Sequence, residues 1–188
     1  TMDIGDDIPV NQVKIFEVML FCNMISEREG FFPAYKLSKI TKIGERVIDA
    51  NVEMVNTNGY RLPTLKEWQY AASGGNKSNN YKYSGSNNLD EVGWYSKKVE
   101  RRSVKTVGLK KPNELGIYDM SGNVEEWCWD AYYWRDQYIK PEKSMRACRG
   151  GSWRSEAGIT YGNINGLEMP SMCVGFRVVK TAFFEADK

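Results

Sequence analysis

Histidine is absent from the 188 residues, where ordinary usage supplies roughly four. This excludes Ser-His-Asp and Cys-His nucleophile pairs, histidine-ligated zinc or iron, and an imidazole general base. The four cysteines, Cys22, Cys128, Cys148 and Cys173, form no C-x-x-C pair, so neither a zinc ribbon nor a thioredoxin-like site is indicated. In an oxidising compartment they offer up to two disulfides; for the two that sit in apolar or aromatic runs, buried free thiols fit equally well. No apolar run approaches the roughly 18 residues that a membrane span needs, and Thr1-Met2-Asp3 opens no signal peptide. Thr1 ahead of Met2 is expected to be a remnant, with a leader or anchor cut from in front of it. An excess of one charge is lacking too: 26 basic against 24 acidic residues leave +2. The densest basic run, Lys97, Lys98, Arg101 and Arg102, is broken by Glu100. With no clustered basic face, nucleic acid is not expected as a partner.

What the chain has is six Trp, eleven Tyr and 17 Gly, large rigid side chains packed around many turns rather than a Leu-rich bundle. The length suits a single domain over residues 1–188, burying about 70% of the surface its unfolded chain exposes. Periodicity predicts an amphipathic helix from Asn11 to Glu29, with Val13, Phe16, Val18, Met19, Leu20, Cys22 and Met24 near one stripe and a stop at Gly30 and Pro33. Lys36–Ile43 and Val47–Val55 read as a hairpin, and Asn58-Gly59 as a turn. Thr64 with Glu67 forms a capping box for a short helix carrying Leu65, Trp68, Ala71 and Ala72 and ending at Gly74-Gly75. Residues 75–112 are predicted to be a loop-dominated insertion. Later strand signals are Gly116–Met120, Val124–Tyr133, Ala147–Trp153 and Val174–Val179. Between the last two, residues 154–173 have no period, which predicts a polar loop held at both ends. Such loops on rigid scaffolds carry recognition chemistry.

Three segments carry the most information: Gly59-Tyr60-Arg61-Leu62-Pro63-Thr64 with Glu67-Trp68; Asn113 through Trp127; and Arg149-Gly150-Gly151-Ser152-Trp153 with Gly175-Phe176-Arg177-Val178-Val179. As scaffold they are self-consistent. Arg61 and Arg177 are forked donors for internal carboxylates or carbonyls, Gly150-Gly151 permit close backbone approach, and Trp68, Trp127 and Trp153 fill a core.

In this order, from about Pro9 to Val179, the segments resemble the formylglycine-generating, sulfatase-modifying-factor family. That resemblance implies an α+β, C-type-lectin-like fold with two short helices, small antiparallel sheets and much irregular loop. It also implies a calcium site made by the side chains of Asp119 and Glu126 with the carbonyls of Gly122 and Val124, an oxygen set of the kind calcium takes. The alternative is that Asp119 caps a turn and Glu126 pairs with an arginine. Family catalysis uses two cysteines after the Gly-Gly-Ser-aromatic motif, which bind copper and activate oxygen; the aligned positions here hold Ser155 and Thr160. Hydroxyls cannot replace thiolates in soft-metal ligation. Cys148 and Cys173 do not fill the vacancy by position, and the iron-dependent relatives need histidine.

One branch of the family, the variable proteins of diversity-generating retroelements, treponemal type, is similar in its Arg-Gly-Gly-Ser-Trp, hypervariable loop and Gly-Phe-Arg-Val-Val. The resemblance implies a non-enzymatic binding protein at the cell surface, lipoprotein-anchored through a segment outside this chain, with a protein or other macromolecular partner and no required cofactor. Its loop would lie at about residues 154–174, with Arg154, Ser155, Gly158, Thr160, Tyr161, Asn163, Asn165, Leu167, Ser171 and Cys173 as binding positions. Adenine-directed mutagenesis of Asn codons cannot yield Glu or Met, so Glu156, Glu168, Met169 and Met172 are expected to be invariant. Aromatic, arginine and bulky apolar groups dominate contact energies, which makes Tyr161, Arg154 and Leu167 the expected anchors. The rival readings are an oxygen-using or sulfatase-modifying enzyme of the same superfamily and a structural module of a surface lipoprotein.

Overall fold

The computed structural model describes residues 7–96, 103–131, 146–159, 164–165 and 171–181. Helix α1 runs Ile15–Arg28, and Glu17 Oε2 reaches back to accept the Lys14 N–H at 3.0 Å at its start. Its buried stripe is Ile15, Val18, Met19, Cys22 and Ser26; Leu20 and Met24, expected on that stripe, lie exposed. The helix also starts later than its periodicity suggests. Residues ahead of it form a strap whose backbone bonds go elsewhere, Gln12 N–H to Ser171 O at 3.1 Å and Val107 N–H to Asp7 O at 2.8 Å. The expected stop holds, with Gly30 at φ 78°.

Strands β1 (Tyr35–Ile43) and β2 (Arg46–Met54) form the predicted hairpin. Strand β3 (Tyr60–Arg61) follows, its Tyr60 N–H donating to the buried Ser26 Oγ of α1 at 2.8 Å. Helix α2 (Leu65–Ala72) carries the predicted box: Glu67 N–H donates to Thr64 Oγ1 at 3.2 Å and Thr64 N–H to Glu67 Oε2 at 2.8 Å.

Arg61 clamps the same carboxylate with two 2.7 Å bonds, and with the Thr64 donors this holds the Glu67 carboxyl down to about 2. A folded-state value below the unfolded one gives stability that is complete above the ordinary pKa of 4.5 and lost as pH falls toward 2. Glu67 is partly exposed, so screening reduces the effect to about 1 kcal/mol. Glu67→Gln is therefore expected to flatten the Tm–pH curve in that acid window; an unchanged slope in thermal melts would refute the assignment.

The insertion holds a 3-10 turn at Gly75–Lys77, helix α3 (Leu89–Val92) and strand β4 (Gly93–Trp94), which pairs with β5 (Ser121–Gly122) in parallel. The predicted strand at Gly116–Met120 is instead a turn organised by Asn113, whose Oδ1 accepts the N–H groups of Leu115 and Ile117 at 3.0 and 3.1 Å. Side-chain acceptors of this kind compete with a strand ladder for backbone donors.

The main sheet is built on β6 (Glu125–Ala131) and β7 (Arg146–Gly151), antiparallel, in the order β10-β6-β7-β8 with β9 also on β7. Here β8 is Ala157–Gly158, β9 Ile164–Asn165 and β10 Val174–Gly175. Strand alternation sends Trp127 and Cys148 into the α1 cluster, and Cys128 and Ala147 into a second cluster with Trp68, Ala72 and Met120. Helices α1 and α2 therefore cover opposite faces of one sheet. The expected strand Val174–Val179 is two: β10 joins the main sheet, and β11 (Val179–Lys180) pairs with β3. Between them Arg177 turns inward to Glu126, which a continuous strand would not allow.

All four cysteines are free thiols, three buried and Cys173 half-buried. Burial pushes the Cys22 thiol up to about 12. No helix among the described residues is long and apolar enough to cross a membrane.

Candidate functional site

The residues singled out in the sequence converge where β7 ends. Gly150 and Gly151 leave β7 at φ 99° and 73°, and β8 doubles back in register, Gly150 opposite Gly158 and Gly151 opposite Ala157. Farther along the loop, β9 returns to the start of β7, with Asn165 opposite Arg146. The chain re-enters through Ser171 and Cys173 into β10, parallel to β6. The predicted loop is thus not held only at its ends: β8 and β9 pin it to β7 midway. Two-residue strands leave no period, which is why the sequence did not announce them.

The predicted contact residues among the described ones each have a definite place. Arg154 is exposed. Ser155 turns its hydroxyl inward, accepting the Ser152 N–H at 2.9 Å and lying 3.1 Å from Ser152 Oγ. Its carbonyl accepts the N–H of Ser96 at 3.2 Å, so Ser155 ties the insertion to the loop base rather than pointing outward. Gly158 is buried in the β7–β8 pair and offers no surface, a correction to its assignment as a contact position. Ser171 Oγ accepts the Cys173 N–H at 3.2 Å within a turn. Asn165 contributes its backbone to β9, while Thr160, Tyr161, Asn163 and Leu167 lie outside the described residues. Met172, not counted among the binding positions, is 49% exposed beside this turn.

Sequence distance hid the position of Cys173. Ser152 acts on the Cys173 thiol, lowering the pKa against burial, and Ser152 in turn bonds Ser155, the first position where the family resemblance puts a cysteine. Burial nevertheless raises the Cys173 thiol pKa, against the thiolate that copper or a nucleophilic step requires. Ser155, with its hydroxyl spent on the turn, does not fit a copper ligand, and the second such position, Thr160, is outside the described residues.

The segment Asp119–Glu126 braces the base of the loop. Asn123, at φ 67°, holds Lys105 through its side chain with two 3.0 Å bonds, and its carbonyl accepts the Trp153 N–H at 2.8 Å. The role of Asn123 is not legible in the sequence, where the one local signal is that Asn tolerates the left-handed region. Glu126 is committed: Arg177 forks onto it at 2.6 and 2.7 Å, and Trp68 Nε1 donates at 2.6 Å. Asp119 Oδ2 accepts the Gly108 N–H at 2.8 Å, while Oδ1 is buried without a hydrogen-bond partner. Burial raises the Asp119 carboxyl pKa, opposed by Gly108 and Arg177. Gly122 belongs to β5 and Val124 is buried behind it. Calcium takes six to eight oxygens; here one carboxylate is already saturated with cationic and indole donors and the other keeps a single open oxygen, so the implied set does not fit the ion as folded.

Comparison with known proteins agrees with this frame. The model of the Sulfatase-modifying factor enzyme 1-like domain matches residues 1–182. The chaperone protein LppX of Paenibacillus barcinonensis is 40% identical over 205 aligned residues, covering 94% of this chain and 71% of LppX. The inactive C-alpha-formylglycine-generating enzyme 2 of Bos taurus is 34% identical over 104 residues, covering 50% of this chain and 33% of that protein. Among solved structures, CarF superposes with a TM-score of 0.82 at 29% identity, covering 96% of this chain and 71% of CarF. The Treponema denticola variable protein 1 superposes with a TM-score of 0.74 at 28% identity, covering 95% of this chain and 74% of that one.

Proposed function

The chain belongs to the sulfatase-modifying factor enzyme 1-like domain family, and on that premise we propose that it is a non-enzymatic binding domain, displayed at a cell surface, whose loop face takes a protein partner. The observation that carries this is the treatment of the vacated catalytic position: Ser155 is a hydrogen-bonded brace of the loop, with its hydroxyl turned to Ser152. A site that has spent its reactive position on rigidity is suited to presentation. Pinning the loop midway removes ordering cost from binding, which favours affinity without new contacts.

The likeness to a retroelement variable protein supports a diversified loop; the higher identity to a protein named as a chaperone supports a dedicated protein client. On either reading, the contact surface we propose is the face around Arg154. They part at the genome: a reverse-transcriptase gene with a near-copy of the region encoding residues 154–174, differing at adenines, marks the first, and its absence the second.

The biochemical test places a photocrosslinker at Arg154 and, as a control, at Lys42 on the exposed hairpin, then remeasures the captured protein after purification. Arg154→Ala combined with Tyr161→Ala is expected to weaken that purified pair at least about tenfold and to leave Tm nearly unchanged. A large Tm drop overturns the assignment of the pair as contact residues. Stoichiometric copper binding with oxygen uptake by the unaltered protein would sink the reading in favour of the enzyme.

A further inference from the structure

Glu126 is 5% exposed, and a carboxylate that deep must be paired to stay charged. Its partner comes from far along the chain. The Arg177 Nε lies 2.6 Å from Oε2 and Nη2 2.7 Å from Oε1, the two-pronged geometry in which a guanidinium binds a carboxylate most strongly. The same Nη2 donates to the carbonyl of Tyr118 at 3.1 Å, and Arg177 is attracted by Asp119 across the site. One guanidinium thus gathers a carboxylate, a carbonyl and the field of a second carboxylate, which are the ligand types a hard divalent cation collects.

We propose that the Arg177 guanidinium takes the place of a calcium ion between Glu126 and Asp119, so that this chain holds its loop base without calcium. The charge balance supports it. Two carboxylates and one guanidinium leave a single negative charge, and a divalent ion placed there would sit against a guanidinium that already grips both oxygens of Glu126. Only Asp119 Oδ1 remains unpartnered among the carboxylate oxygens of the pair. The position also explains the consequence for the fold. Arg177 lies between β10 and β11, Glu126 lies in β6, and Trp68 of α2 donates to the same carboxylate. A tethered cation therefore closes a three-way junction that a chelator or a calcium-poor medium would otherwise open.

The test uses the whole chain, in millimolar chelator and in millimolar calcium, with Tm and terbium luminescence sensitised through Trp68 as readouts. For the unaltered protein, Tm is expected to differ by less than about 1 °C between the two media, since an ion that does not bind cannot shift the folding equilibrium. No terbium emission above buffer is expected. Arg177→Gln is expected to lower Tm in chelator by about 10 °C, to recover part of that loss in calcium, and to gain terbium emission that Asp119→Asn removes.

A chelator-induced fall in the Tm of the unaltered protein, or terbium emission from it that Asp119→Asn abolishes, overturns the proposal. So does an Arg177→Gln protein whose Tm is unchanged, or one that is destabilised yet gains neither terbium emission nor calcium rescue. If Arg177→Gln does not fold in chelator, refolding in calcium is expected to restore it, and failure there counts against the exchange of guanidinium for ion.

Discussion

Gly151→Ala is expected to abolish soluble folded protein at ordinary growth temperature, or to lower Tm by more than about 15 °C where some folds. The reason is steric and backbone-deep. At φ 73° a Cβ on residue 151 would lie 2.0 Å from the Glu156 carbonyl oxygen and 2.7 Å from Ala157 Cα. Both are main-chain atoms of the segment that β7 pairs with, Gly151 standing opposite Ala157, so no rotamer change relieves the overlap. Either β8 separates from β7 or the turn through Ser152 and Ser155 is rebuilt, and both outcomes release the loop face. Partner binding is therefore expected to fall with stability, unlike the Arg154 and Tyr161 pair, which separates the two.

Gly30→Ala supplies the control. Its φ is 78°, close to that of Gly151, but a Cβ there meets nothing within 4 Å. It should cost only the left-handed penalty, about 1 kcal/mol, or a few degrees in Tm. If Gly151→Ala melts no lower than Gly30→Ala in the same calorimetric scan, close approach of β8 is not what fixes glycine at position 151.

Parts of this arrangement are legible in the sequence because the signal is local or chemically unambiguous. The capping box of Thr64 and Glu67 needs only three-residue spacing, and the hairpin of β1 and β2 announces itself by its runs. Arg61 and Arg177 read as internal forked donors because such side chains in a motif-rich chain seek carboxylates, and Glu67 and Glu126 are where they end. What stays hidden depends on the third dimension. Nothing between residues 154 and 173 predicts that β8 and β9 return to β7, since two residues cannot show an alternation. Gly158 looks like one more small loop residue until Gly150 is found opposite it. Asn123 reaches Lys105 across the insertion, and Cys173 arrives at Ser152 from the far end of the loop; neither pairing has a periodic trace.

Trp68→Ala is expected to lower Tm by roughly 15 °C, more than its burial alone explains, because Trp68 both fills the second core cluster and donates to Glu126. The side chain is 1% exposed and packs with Ala72, Met120, Cys128 and Ala147. Truncating a Trp in such a core costs about 3–5 kcal/mol in lost transfer and cavity terms. The indole Nε1 also lies 2.6 Å from Glu126 Oε2, and a hydrogen bond to a charged acceptor adds about 1.5–3 kcal/mol. Trp68→Phe divides the two contributions, keeping most of the apolar volume and losing only the donor, so its Tm should fall about a third as far. The same side chain carries the link from fold to loop: Gly150 passes over its ring, a Cβ there standing 3.2 Å from Trp68 Cζ2, so removing the ring undercuts the turn on which Arg154 is presented. Hydrogen exchange of the β7 and β8 amides, measured in both variants, should show the loop base opening in Trp68→Ala and staying protected in Trp68→Phe. Equal protection in the two would mean that the indole supports α2 alone and leaves the loop face to Gly151.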